Sequence, residues 1–188
     1  RCSYRCSFCN QTKIKDIDKK TDKKMLHETL RTHLEFLNSE NLPAKRELAF
    51  FGGSFTGIPL ERQKYLLSVI QPWILSGEIQ SIRVSTHALF IDDTNLLLLR
   101  KKHVETLELG IQSTDDEVLK LVGRECPFNV IQSAVDRIHA MNFLLGLQLM
   151  PGLPGDNEQK FQNSVDNVIS LKPDFVRIYP TLVIKNTG

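Results

Sequence analysis

From residue 22 onward the sequence alternates short apolar runs with longer stretches of helical periodicity, and that alternation most constrains the fold. Leu26, Leu30, Leu34 and Leu37 recur at helical spacing over residues 22–38. Leu48-Ala49-Phe50-Phe51 follows as a buried strand ended by Gly52-Gly53. A helix is expected over about 60–76, with Leu66, Leu67, Ile70 and Ile74 on its inner stripe. Ile82 to Ser85 reads as a strand, Thr94 to His103 as a leucine-rich helix, and Thr106 to Ile111 as a third strand.

The second half repeats the alternation. Thr114-Asp115-Asp116-Glu117 has the form of a capping box, with Thr114 and Glu117 covering each other's orphan amides. Pro127 suits the first turn of a helix ending near Asn142. Leu144 to Met150 reads as a strand, Asp156 as the cap of a helix running to Leu171, and Phe175 to Tyr179 as the fifth strand. Strands alternating with helices predict parallel βαβ units with right-handed crossovers. The loops leaving the strands' carboxyl ends hold Gly52-Gly53-Ser54, Ser85-Thr86, Gln112-Ser113 and Gly152, so chemistry is expected on that face.

Before this array come Cys2, Cys6 and Cys9, spaced C-x3-C-x2-C, with Phe8 just ahead of the last. Three thiolates on one loop can hold three irons of a [4Fe–4S] cube, and the fourth iron then has no protein ligand. Electron carriers normally supply four cysteines per cluster. A missing ligand is an open coordination position, the mark of a catalytic metal site. A zinc site would need a fourth ligand from His27 or His33, at a spacing too long for a finger and with Cys2 left over. Both histidines lie on the first helix, whose apolar face its leucines already define, and are expected at the surface. Zinc or bare thiols stay open beside iron.

Length and composition set the bounds. The 188 residues suffice for one domain, and 41% hydrophobic with 24% charged content matches a soluble globular protein. No apolar run reaches the ~20 residues of a membrane helix, and no signal peptide is visible. A net charge of +2 says little about partners. Cysteines packed into one short loop point to a reducing compartment, with the cytoplasm as default. The segment Lys13 to Lys24 is dense in charge of both signs, which suits an exposed loop and gives no nucleic-acid footprint. The sequence starts without Met, one residue before Cys2, and ends at Lys185-Asn186-Thr187-Gly188 without a closing element, so it reads as a piece of a longer protein.

The cysteine motif together with Phe50-Phe51-Gly52-Gly53-Ser54-Phe55 resembles the radical S-adenosylmethionine (SAM) superfamily. The resemblance continues through Glu108-Leu109-Gly110-Ile111-Gln112-Ser113, Gly123-Arg124, Met150-Pro151-Gly152-Leu153-Pro154-Gly155 and the stretch Lys172 to Pro180. It is similar to the branch of the Elongator catalytic subunit, which shares motifs with oxygen-independent coproporphyrinogen oxidase. The resemblance implies an α/β fold, a partial (β/α)6 TIM-like barrel of parallel strands whose first strand would precede the cysteine loop and is missing here. Residues 1–188 would then be a radical SAM core truncated at both ends. It further implies a [4Fe–4S] cluster on Cys2, Cys6 and Cys9, with SAM on the open iron, and a one-electron reductant of ferredoxin or flavodoxin type. Reductive cleavage would give a 5′-deoxyadenosyl radical that abstracts hydrogen from a substrate, with RNA or a porphyrinogen in view. No membrane partner is implied, and a non-catalytic metal-binding scaffold is the alternative from another class.

Further roles follow from the same resemblance. Gly52 and Gly53 would let the backbone approach the methionine amino group, with Ser54 as a polar contact, where an ordinary turn is the alternative. Phe8 would lie near the adenine or simply pack in a core. Ser85 stands where the coproporphyrinogen oxidase relatives carry a ribose-binding carboxylate. Gln112 would serve the ribose or methionine end, and Arg124 the methionine carboxylate unless it is a solvated helix end. Gln148 alternates with Leu147 and Leu149, so it should face the barrel interior and find a partner such as the adenosyl ribose. His87-Ala88-Leu89 replaces the Arg-Pro-Asp of close relatives, which suggests a changed substrate or weakened activity. Cys126 is either a second nucleophile or inert packing.

Overall fold

The computed structural model describes residues 6–9, 23–40 and 45–182. Cys2 and residues 13–22 of the charge-dense segment lie outside the described residues. The elements are α1 (Lys23–Ser39), β1 (Glu47–Phe50), α2 (Leu60–Leu75), β2 (Ser81–Thr86), α3 (Asp93–Lys101), β3 (Val104–Gln112), α4 (Asp116–Leu121), α5 (Phe128–Ala140), β4 (Leu144–Leu149), α6 (Glu158–Ser170) and β5 (Phe175–Ile178). Short 3-10 turns at Phe55–Gly57 and Ala88–Phe90 follow β1 and β2.

The described strands form one sheet in the order β1-β2-β3-β4-β5, every neighbouring pair parallel. Sequential order is what right-handed βαβ steps of constant direction give, and it is the order of a barrel wall. Alternation divides each strand between two faces. Ile82, Val84, Leu107, Leu109, Leu145, Leu147 and Leu149 share one core with Leu67 and Ile70 of α2, Leu96 and Leu99 of α3, and Ile131, Val135 and Ile138 of α5. The alternate positions carry Ala49, Arg83, Ser85, Glu108, Gly110, Gln148 and Arg177, and form the opposite face. None of the described helices is long and apolar enough to cross a membrane.

Three caps differ from the sequence expectation. Asp115, one residue after Thr114, caps α4 by accepting from Val118 N at 3.0 Å. Thr114 is instead engaged by α6, accepting from Asn167 Nδ2 at 2.8 Å and donating its backbone N–H to Ser164 Oγ at 3.0 Å. Glu117 pairs with Lys160 of α6 at 2.8 Å, so both ends of the expected box serve tertiary contacts and the neighbouring carboxylate takes the cap. Asn157, not Asp156, caps α6. Asp156 accepts from the backbone amides of Gly152 and Asn157 and so braces the Pro-Gly loop. Pro127 sits at the N-cap position of α5, just before its first turn. His27, expected at the surface, stacks on Trp73 of α2 with ring centroids 4.4 Å apart.

Candidate functional site

The carboxyl ends of the strands bring together the cysteine loop, the Gly-Gly exit and the polar residues of β3 and β4. Cys6 and Cys9 share one tight turn, closed by Cys9 N donating to Cys6 O at 2.9 Å. That turn docks on the end of α4: Ser7 N donates to Val122 O at 3.0 Å. Phe8 packs into a small apolar cluster with Val118, Val122, Leu153 and Met150. It therefore lies in packing that fixes the loop.

Gly52 and Gly53 leave β1 with φ of +97° and +152°, backbone angles that favour glycine. Space around Gly52 is open, with no atom within 4 Å of where a Cβ would stand. Ser54, buried, begins the following 3-10 turn. Thr56 ties this loop to the end of β2 by a 2.5 Å hydroxyl contact with Thr86. Gln63 of α2 holds it from beneath, donating to Thr56 O at 3.2 Å and Ile58 O at 2.9 Å. The Gly-Gly exit is thus a fixed turn with exposed backbone.

Gln112, at the end of β3, is buried with φ of +75°, where the pairing register with β4 shifts. A non-glycine residue in left-handed backbone marks a position over-determined by its surroundings. Here Met150 N donates to Gln112 O at 2.8 Å, and Gln148 Nε2 donates to Gln112 Oε1 at 2.9 Å. Gln148 was expected to face the interior with a partner such as the adenosyl ribose; here one of its amide hydrogens goes to Gln112. Arg124 also reaches this layer: its Nη2 donates to Gly110 O and its Nη1 to Cys6 Sγ at 3.5 Å. It is 7% exposed, so it is no solvated helix end. Gly110 leaves room for both: a Cβ there would stand 2.7 Å from Gln112 Nε2 and 3.2 Å from Arg124 Nη2, so both side-chain ends would have to move.

Ser85 is half-buried on the same face, in register with Glu108 of β3. Glu108 opens one of the motifs of the sequence resemblance but was given no role of its own. It is 1% exposed, with Arg83 Nη1 at 3.5 Å and Arg177 Nε at 3.3 Å. Arg83 also pairs with Glu47 at 2.5 Å, and Thr106 Oγ1 donates to Glu47 Oε1 at 2.9 Å. Arg177 donates to Tyr179 Oη at 2.9 Å. Two cation–π contacts lie on this face, Arg83 over Phe175 at 4.9 Å and Arg177 over Phe51 at 5.5 Å. In the sequence Arg83, Glu108 and Arg177 are each a lone charge between apolar neighbours.

His87 is buried and its Nδ1 accepts from Leu89 N at 3.2 Å. Burial, with the Arg124 charge nearby, lowers its pKa from 6.5 to about 3. The unfolded chain therefore binds one more proton than the folded one between about pH 6.5 and pH 3, and stability falls as pH drops through that window. Urea unfolding of the metal-free protein should show this acid loss, and His87→Asn, which keeps an acceptor for Leu89 N, should flatten it. Identical pH slopes in the two proteins would contradict it. Burial pushes the Cys126 thiol upward, the wrong direction for a nucleophile, and its side chain belongs to the main core.

Two thiols on one tight turn, a buried guanidinium against one of them, and an open Gly-Gly turn suit a negatively charged iron–sulfur cluster and an amino-acid ligand. Among the described residues no group of three or more His, Cys, Asp or Glu is arranged to hold a metal ion. The third thiol of the motif, Cys2, stands outside them.

Comparison with known proteins gives a consistent result. The family model described as the radical SAM superfamily matches residues 1–168. An oxygen-independent coproporphyrinogen III oxidase of Paracoccus denitrificans is 28% identical over 153 residues, covering 80% of this chain and 34% of that protein. A tRNA uridine(34) acetyltransferase of Methanocaldococcus infernus is 25% identical over 178 residues, covering 84% of this chain and 33% of that protein. Among solved structures, the coproporphyrinogen III oxidase of Escherichia coli superimposes with a TM-score of 0.71 at 20% identity, over 97% of this chain and 42% of that one. The last comparison shows the fold. The chain spans about a third to a half of the length of such curated relatives.

Proposed function

Because this chain belongs to the radical SAM superfamily, whose enzymes use a [4Fe–4S] cluster and SAM, we propose that its strand-exit face holds both. In this reading Cys2, Cys6 and Cys9 would hold the cluster, and SAM would take the position they leave open. With one electron from a ferredoxin or flavodoxin type donor, the bound pair would supply reductive cleavage of SAM to methionine and the radical chemistry that removes a hydrogen atom from the substrate. The chain's own residues orient and shield. The exposed amide and carbonyl groups of Gly52 and Gly53 face the methionine amino group, with Ser54 beside them. Arg124 pairs with the methionine carboxylate. Gln112, Gln148 and Ser85 line the ribose side, and Phe8 secures the cysteine loop next to the adenine.

The observation that carries this reading is the convergence of Arg124 on both Cys6 Sγ and the Gly110 carbonyl, next to the strained Gln112. A cation so buried, beside a thiol and an amide, is placed for an anionic ligand. The two relatives supply the substrate classes to assay first, a tRNA uridine and a porphyrinogen. Thiolate ligands and an open iron suit a reducing compartment such as the cytoplasm.

The test is direct. The protein is reconstituted anaerobically with iron and sulfide, reduced, mixed with SAM, and its products separated by chromatography. The proposal expects 5′-deoxyadenosine. A protein that holds iron and yields none is a scaffold, and one that binds a single zinc overturns the cluster assignment.

A further inference from the structure

Arg124 stands in an unusual position for a buried cation. Its backbone is fixed to the last turn of α4, with its N–H donating to Leu119 O at 2.8 Å just after Gly123. The same helix end carries the cysteine loop through Ser7 and Val122. Helix α4 therefore sets the distance between the guanidinium and Cys6. Both side chains are buried, at 7% and 5% exposure. Among the described residues no carboxylate forms an ion pair with Arg124, and its side-chain partners are the Gly110 carbonyl and the Cys6 sulfur.

From this geometry we propose that Arg124 is a positioning residue that raises the reduction potential of the cluster through Cys6, in addition to any contact with SAM. The inference rests on the cluster assignment above. Reduction of a cube adds one negative charge to the iron–sulfur core. A buried cation donating to a ligand sulfur stabilises that added charge, and hydrogen bonds to ligand sulfurs are among the factors that set cluster potentials. Low dielectric around the pair makes the effect larger than the same contact would give in water. The electron comes from the external one-electron donor, and no bond is made or broken.

The experiment is a redox titration of the reconstituted protein in the absence of SAM, followed by electron paramagnetic resonance (EPR) of the reduced cluster. Leaving SAM out separates this role from carboxylate binding. Arg124→Gln keeps a donor and removes the charge. It should favour the oxidised cluster by about tenfold more than wild type does, a shift of ~59 mV to more negative potential. Arg124→Lys should stay near the wild-type potential. Gly110→Ala, whose new methyl would crowd Gln112 Nε2 first and Arg124 Nη2 second, should shift in the direction of Arg124→Gln, and it supplies the comparison if the Gln variant takes up no iron. Full iron content with an unmoved potential in Arg124→Gln, or in Gly110→Ala where the Gln variant is iron-free, overturns the inference. If the wild type then still makes 5′-deoxyadenosine, the function above stands. A wild type that takes up no iron overturns both.

Discussion

Cys6→Ala is expected to yield a folded protein whose iron content after reconstitution falls to background and which makes no detectable 5′-deoxyadenosine. The expectation follows from ligand number. With three cysteines in the motif, losing one leaves two irons of the cube without a protein ligand, and such a cube is not retained. The fold should tolerate the change, since trading a buried thiol for a methyl removes little volume and costs about 1 kcal/mol. Cys126→Ala is the internal control. Its thiol lies in the main core, held protonated by burial, and the substitution should leave iron content and product unchanged. Iron analysis of the two variants decides the matter, and unchanged iron in Cys6→Ala would remove the ligand assignment.

The second large effect concerns stability. Arg83→Met should cost about 3 kcal/mol or more in urea unfolding, well beyond the loss expected at an exposed ion pair. Arg83 serves both Glu47 at 2.5 Å and the buried Glu108 at 3.5 Å, while its guanidinium covers the Phe175 ring. Without it Glu108, 1% exposed, shares the single guanidinium of Arg177. Most of the penalty is the uncompensated buried carboxylate, so the Arg83→Met, Glu108→Leu double variant should recover part of the loss. A single variant as stable as wild type, or a double variant that recovers nothing, would show that the pairs across this face carry little energy.

How far the sequence reveals this molecule depends on the distance over which each signal acts. The strands at Leu48, Ile82, Thr106, Leu144 and Phe175 announce themselves because a buried parallel strand is a local apolar run, and each begins within two residues of expectation. Caps are less legible. At Thr114-Asp115 and Asp156-Asn157 two good capping residues stand side by side, and contacts from α6 or from the Pro-Gly loop decide between them. The row of Glu47, Arg83, Glu108 and Arg177 was the least legible. Each residue alone resembles a surface charge, and only the parallel register sets them on one face. His87 belongs with them: nothing local in its sequence marks its burial, which comes from the fold around it.

The site divides along the same line. The cysteine spacing and the Gly-Gly exit are local patterns and were readable as motifs. The link between Arg124 and Cys6 joins residues more than a hundred positions apart, and only α4 and the strand exits bring them together. The Gln112 to Gln148 hydrogen bond is likewise a product of the register shift at the end of β3.

The central claim is an iron that the polypeptide leaves open to SAM, and the measurement closest to it is the EPR spectrum of the reduced cluster before and after SAM is added. If SAM binds that iron, the signal must change in shape and position on addition, and a nitrogen coupling from the methionine amino group should appear with isotopically labelled SAM. A signal that stays the same at saturating SAM would mean that every iron is already fully ligated, and would contradict the account.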